Sequence, residues 1–208
     1  MAFNENTRVK IPAILHFCRL GYTYLPLKNI TWDESSNIIP DILVESLKRI
    51  NKKITPDEIN KTLQEISLAL DNDDLGQIFY QKLISGSNVK LIDFNDLANN
   101  SYHVVTELTC KNGEDEFRPD ITLFVNGLPL AFVEVKKPNN KEGILAERER
   151  INMRFKNKKF NDLLILPNSS YLRTNMEYDF RINCAYPGCF LLLPQPIKMP
   201  NLFALGKN

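Results

Sequence analysis

Asn126-Gly127 stands between two apolar runs, "DITLFV" before it and "LPLAFVEVKK" after it. An Asn-Gly pair flanked by runs rich in Val, Ile and Phe is a strong hairpin signal, because both residues accept the backbone a tight reversal needs. The pair predicts an antiparallel hairpin near the middle of the chain, and any fold has to be built around it. Both runs also carry charge where a core would not want it. Asp120 opens the first, and Glu134 and Lys136 close the second.

The periodicity on either side of the hairpin predicts what covers it. In "IPAILHFCRL" the residues Ile11, Ile14, Leu15 and Cys18 recur at helical spacing, Pro12 suits a first turn and Gly21 is a stop signal. "TPDEINKTLQEISLAL" has Thr55 and Glu58 as a capping box, Pro56 at the first helical position, and a stripe of Ile59, Leu63, Ile66 and Leu70. Further helices are expected over about 40–50 and 74–84. From residue 88 the period becomes that of strands, in "NVKLIDF", "YHVVTELTC", "DITLFV" and "LPLAFVEVKK", and "KEGILAERERINMRF" returns to helix. Helices, then antiparallel strands, then a helix imply an α/β (α+β) fold, a central mixed sheet flanked by helices.

Composition narrows the class and little more. At 208 residues and 43% hydrophobic the chain can bury one good core, and no run reaches the roughly 18 apolar residues of a membrane span. The first ten residues, "MAFNENTRVK", lack the apolar stretch of a secretory signal. Cys18, Cys110, Cys184 and Cys189 have no metal-type spacing, so reduced thiols in a cytoplasm are expected. A net charge of +1 means that any nucleic-acid surface must be local.

Strand geometry turns the charges into a question of register. Glu134 and Lys136 share one face of their strand. With a two-residue loop at Asn126-Gly127, Asp120 would pair with residue 133 and point away from Glu134. With a three-residue loop ending in Gly127, it would pair with residue 132 and lie diagonal to Glu134 on the same face, ~7 Å away between alpha carbons. The second arrangement gathers two carboxylates and an amine. Two close carboxylates repel unless a cation lies between them, and hard oxygen ligands suit Mg²⁺, which keeps waters and accepts phosphate oxygens. With a lysine beside it, such a site would hydrolyse phosphodiesters. The same residues also make an ordinary solvated strand face, and the pattern by itself leaves both open.

The full stretch "RPDITLFVNGLPLAFVEVKKPNN" resembles the nuclease motif in the amino-terminal domain of type I restriction enzyme R (restriction) subunits, a PD-(D/E)xK nuclease. "TRVKIPAILHFCRLGYTYL" and "LIDFNDLANNSYHVVTEL" resemble the same domain's first helix and early strands, so the likeness covers roughly residues 4–162. It implies a restriction-endonuclease-like core with a helical amino-terminal region, with Asp120 and Glu134 as Mg²⁺ ligands and Lys136 as the catalytic lysine. Glu5 is a weaker fourth candidate whose plainer role is a helix amino-terminal charge. Double-stranded DNA and the modification and specificity subunits are the implied partners, with site recognition residing in the specificity subunit.

The chain also departs from that family. The helix after the lysine lacks a Gln-x-x-x-Tyr motif, which leaves Lys137, Arg148, Arg150 and Arg154 as candidate DNA contacts, against a solvated helix face. No GxxxxGK[ST] phosphate loop occurs, so ATP is expected only for motor domains that this sequence does not contain. Residues 1–180 are expected to form the nuclease domain and 181–208 an irregular tail, with a shifted reading frame expected over about 165–174 and after about 180. The competing expectation is a catalytically inert relic that keeps only a DNA- or subunit-binding surface.

Overall fold

Local signals in the first half produce the expected helices. The computed structural model describes residues 9–70, 77–84, 88–112, 115–135, 149, 169–173 and 178–179. α1 (Ile11–Arg19) carries a proline in its first turn and stops at Gly21, whose φ of 99° lets the Tyr22 N–H donate back to the Phe17 carbonyl at 3.0 Å. α2 (Pro40–Ile50) follows, then α3 (Pro56–Leu70) and α4 (Gln77–Ile84). The Thr55–Glu58 capping box forms in both directions: the Thr55 N–H donates to Glu58 Oε2 at 2.8 Å and the Glu58 N–H to Thr55 Oγ1 at 3.3 Å. Ile59, Ile66 and Leu70 are buried with Leu63 packed partly against them, as the α3 stripe predicts.

α1 presents a different face from the expected one. Ile11 and Leu15 are 48% and 55% exposed, while Ala13 is buried and Ile14, Phe17 and Cys18 pack partly against the core. The orientation follows an aromatic line in which Phe17 meets Tyr22 edge-on at 5.8 Å and Tyr22 meets Tyr102 at 5.6 Å. The line turns the Phe17 side of α1 towards the sheet.

Among the described residues the main sheet is mixed and six-stranded. β1 (Thr23–Tyr24), β2 (Tyr102–Thr106), β5 (Ile121–Val125), β6 (Leu128–Val135), β7 (Ser169–Arg173) and β8 (Tyr178–Asp179) lie side by side in that order, and β3 (Cys110–Asn112) pairs with β4 (Asp115–Phe117) in a separate hairpin. β1 runs parallel to β2 and β6 parallel to β7, while the other neighbours are antiparallel. The central β5 is buried on both faces, which is why its sequence reads as a continuous apolar run. One face joins Ile121, Leu123, Ala131 and Val133 to the helices. The other packs Phe124 and Phe132 with Ile39, Val105, Leu108, Cys110 and Phe117. Burial pushes the Cys110 thiol up to about 12, so it stays protonated and inert.

Two expectations along the chain change. "NVKLIDF" is not a strand: it bends and pairs with neither sheet, although Leu91 and Ile92 are both buried. Side chains satisfy that backbone instead. Asn51 Oδ1 accepts from the Lys90 N–H at 2.9 Å, and Asn100 Oδ1 from the Asp93 N–H at 2.9 Å. "YHVVTELTC" divides into β2 and β3 at Glu107, whose φ is 57°. Within the segment 165–174, Ser169–Arg173 is a strand paired with β6, which does not bear on the expected frame shift. Apart from Glu149, which is helical, the expected helix over 141–155 lies outside the described residues, as does everything after 179.

The Asn126-Gly127 turn has two residues, with φ of 53° and 81° and Val125 opposite Leu128, the type I′ form that suits twisted strands. The turn is seated on the amino end of α2, where the Ile39 N–H donates to the Gly127 carbonyl at 2.9 Å. A Cβ on Gly127 would lie 2.6 Å from the Ile39 carbonyl oxygen and 2.8 Å from the Leu43 nitrogen. Gly127→Ala should therefore lower unfolding stability in urea by about 2–4 kcal/mol, from the positive φ and the backbone clash together. A variant as stable as wild type would mean that the turn does not sit on α2.

His103 on β2 supplies a pH test of the same packing. Its Nδ1 is buried with no hydrogen-bond partner among the described residues. Burial, then the Arg49 charge, hold its pKa below the ordinary 6.5, with Glu45 opposing. The neutral ring's stabilisation is complete above pH 6.5 and is lost as the pH falls below 6.5 through the folded value. The urea midpoint should drop more between pH 7 and pH 5 in wild type than in His103→Gln; parallel curves would contradict it.

Candidate active site

Neither of the two simple registers describes this hairpin. The turn is the two-residue one, but Leu123 pairs with Ala131 while Phe124 pairs with Pro129, so Leu130 is an extra residue on β6. This β-bulge shifts the ladder by one and brings Ile121 opposite Val133. One step further, Asp120 falls opposite Glu134, and directly opposed residues of an antiparallel pair point to the same face. On β2, Thr106 pairs with Ile121, so the next residue, Glu107, falls opposite Asp120 from the other side. Its N–H donates to the Asp120 carbonyl at 3.2 Å. Three neighbouring chain segments thus bring Glu107, Asp120 and Glu134 to one row of the sheet.

Each acid is held differently. Asp120 is partly exposed, and its Oδ2 accepts from the Val135 N–H at 3.0 Å, which ties the first residue before β5 to the last residue of β6. Glu134 is buried, with 7% of its surface exposed. Glu107 occupies the left-handed region, where a non-glycine residue is strained. Lys10, immediately before α1, is buried and places its Nζ 2.6 Å from Glu107 Oε1 and 3.5 Å from Asp120 Oδ1. The Lys10 hydrogen bond and charge hold the Glu107 carboxyl below its ordinary 4.5, helped by Arg118 and opposed by burial and Asp120.

Of the residues singled out in the sequence, Asp120 and Glu134 are brought together. Lys136, Glu5, Lys137, Arg148, Arg150 and Arg154 lie outside the described residues. Sequence reasoning missed Lys10 and Glu107. The only signal for them was an acid closing the "YHVVTE" run and a lysine directly before a helix, and neither pattern is specific. Among the described residues no group of three or more His, Cys, Asp or Glu side chains could by itself hold a metal ion. Two opposed carboxylates are nevertheless hard oxygen donors of the kind Mg²⁺ prefers.

A mixed sheet carrying paired acids at the open end of its central hairpin, with helices over one face, is the arrangement of a restriction-endonuclease-like domain. The model of the type I restriction enzyme R protein N terminus matches residues 2–175, and the chain belongs to that family. It is 29% identical over 165 residues to a Methanocaldococcus jannaschii protein named as the MjaIXP type I restriction enzyme endonuclease subunit, covering 67% of this chain and 16% of that protein. A second M. jannaschii relative, named for MjaVIIIP, is 35% identical over 123 residues, covering 50% of this chain and 11% of the relative. The HindI endonuclease subunit of Haemophilus influenzae is 29% identical over 117 residues, covering 47% and 11%. The chain spans less than a fifth of the length of each of these relatives. No helix among the described residues is long and apolar enough to cross a membrane.

The Asp120 contacts fix what its removal does. Asp120→Ala deprives the Val135 N–H of its acceptor and Lys10 of one carboxylate, and should cost roughly 1–2 kcal/mol of stability without added metal. Asp120→Asn, which keeps an acceptor oxygen, should lie closer to wild type in the same urea titration. If Asp120→Ala is more stable than wild type, repulsion among the acids outweighs these bonds.

Proposed function

We propose that this domain is the DNA-cleaving part of a type I restriction enzyme R subunit and hydrolyses phosphodiester bonds of double-stranded DNA with the aid of Mg²⁺. The observation that carries the reading is the bulge-set register that puts Asp120 opposite Glu134 at the end of the hairpin. Asp120 and Glu134 would hold the ion, one at the partly exposed rim and one buried. When bound, Mg²⁺ would supply Lewis-acid polarisation of the phosphoryl oxygen and a more acidic water. The Val135 N–H keeps the Asp120 carboxylate from swinging away, so ion binding costs little reorganisation. Lys136, one residue beyond β6, would orient the attacking water and stabilise negative charge on the phosphate. The water oxygen–phosphorus bond forms as the phosphorus–oxygen bond to the departing strand end breaks; the water gives up a proton to solvent and the departing oxygen takes one from solvent to become a hydroxyl.

Lys137, Arg148, Arg150 and Arg154 are the basic residues we assign to the DNA backbone, and Glu5 is a further acid that could approach the ion. Membership of the family supports assembly with modification and specificity subunits, choice of site by the latter, ATP use by motor domains elsewhere in the enzyme, and action in the cytoplasm.

Two measurements test this reading. Mg²⁺-dependent nicking of plasmid DNA at high protein concentration should be lost in Asp120→Ala and in Lys136→Ala. Separately, a site of millimolar affinity should gain about 1.4 kcal/mol from ~10 mM Mn²⁺, roughly 2–4 °C in Tm for a chain of this size. Asp120→Ala and Glu134→Ala should each abolish that increment. An identical Mn²⁺ response in wild type and both variants would make the acids a structural charge cluster and the domain an inert relic.

A further inference from the structure

The acidic row contains a cation of its own. Lys10 is only 6% exposed, and its ammonium lies between Glu107 and Asp120, much closer to the first than to the second. A buried ammonium is tolerated only where carboxylates compensate its lost hydration, so its position reports where the local field most favours positive charge. Asp120 presents two oxygens to this field. Oδ2 is engaged by the Val135 N–H, and Oδ1 is the one that faces Lys10. Any divalent ion taken up through Oδ1 meets the ammonium at short range.

We propose that Lys10 is a built-in counter-cation of the site: a positioning residue that competes with the divalent ion for Asp120 and yields to it by withdrawing onto Glu107. The inference rests on the metal-site reading of Asp120 and Glu134. Glu107 is the anchor for the withdrawal, since it already holds the ammonium at 2.6 Å against 3.5 Å for Asp120, and so the two contacts need not break together. The left-handed backbone of Glu107 is consistent with this role. It ends β2 at the row where its N–H still reaches Asp120 while its side chain meets Lys10. Lys10 therefore stabilises the acidic row when no divalent ion is bound and lowers the affinity for that ion.

Mn²⁺ binding, followed by the electron paramagnetic resonance of free Mn²⁺, tests the proposal without any cleavage assay. Lys10→Met should melt lower than wild type without metal yet bind Mn²⁺ about tenfold more tightly, the change expected from removing one close like charge. Arg118→Met removes an exposed positive charge near Glu107 that touches neither Asp120 nor Lys10 in the observed bonds, and should change affinity by less than about twofold. Unchanged or weaker binding by Lys10→Met, or an equal gain in Arg118→Met, overturns the counter-cation. If Lys10→Met does not fold, Glu107→Gln decides: release of the anchor leaves the ammonium to Asp120 and should weaken Mn²⁺ several-fold, and unchanged binding overturns the proposal. Wild-type binding that Asp120→Ala abolishes, with Lys10→Met unchanged, sinks this inference alone. Absence of binding in both wild type and Lys10→Met sinks the metal site with it.

Discussion

The Asn126 side chain is fully buried and makes every hydrogen bond an amide can make at that position. Its Oδ1 accepts from the Ser101 N–H at 2.8 Å and the Ser101 hydroxyl at 3.3 Å, and its Nδ2 donates to the Leu91 carbonyl at 2.9 Å and Asn100 Oδ1 at 2.8 Å. Through these bonds the hairpin turn holds the irregular segment 91–101 in place of a strand ladder. Ser101 passes the connection to α2 by its contact with Ser46 at 3.0 Å, and Arg49 closes it on the Asn99 carbonyl at 2.8 Å. A satisfied polar network of this kind is stiff because any slip would strand a buried donor or acceptor. Gly127 adds the steric half of the constraint, since its missing Cβ is what allows α2 to sit against the turn.

With the turn fixed, a single extra residue decides which face the acids take at the far end of the hairpin. Without Leu130 in the bulge, the two-residue turn would carry Asp120 to Val133 and leave the two acids on opposite faces. The bulge restores one face to both. It lies five residues or fewer from the acids on each strand, close enough that the register it sets is not lost before the strands end. The apolar residues of that same face, Phe124 and Phe132, fill the smaller core and leave the acids at its rim. There, burial of Glu134 and exposure of Asp120 create two different environments for chemically similar groups.

Electrostatics at the row is a balance rather than a single pair. Three carboxylates gather where strands β2, β5 and β6 end, and the buried ammonium of Lys10 offsets part of their repulsion. Membership of the type I restriction R protein N-terminal family makes a nuclease subunit the frame for this balance.

How far the sequence reaches can be judged element by element. The capping box of α3, the stop at Gly21 and the Asn-Gly turn were legible because each depends on residues a few positions apart, where local sterics and hydrogen bonds decide. The acids themselves were legible through the motif that contains them. The failures share the opposite cause. "NVKLIDF" has strand composition, but Asn51 and Asn100, distant or beyond a turn, take its backbone groups. The exposed side of α1 was misjudged because a line of aromatics reaching Tyr102 sets its roll.

Register is the clearest division between the two. The sequence by itself determined that a hairpin forms, where it turns and which acids stand near its open end. Whether those acids meet was decided only in the tertiary structure: Pro129, which cannot donate to a ladder, hints that β6 breaks its pairing, but which residue bulges and how far the register shifts is set by packing between the two cores. The same holds for Lys10 and Glu107, which are 97 residues apart and share one ion pair. Their encounter depends on the fold bringing the start of α1 to the end of β2, and no short-range rule of spacing contains it.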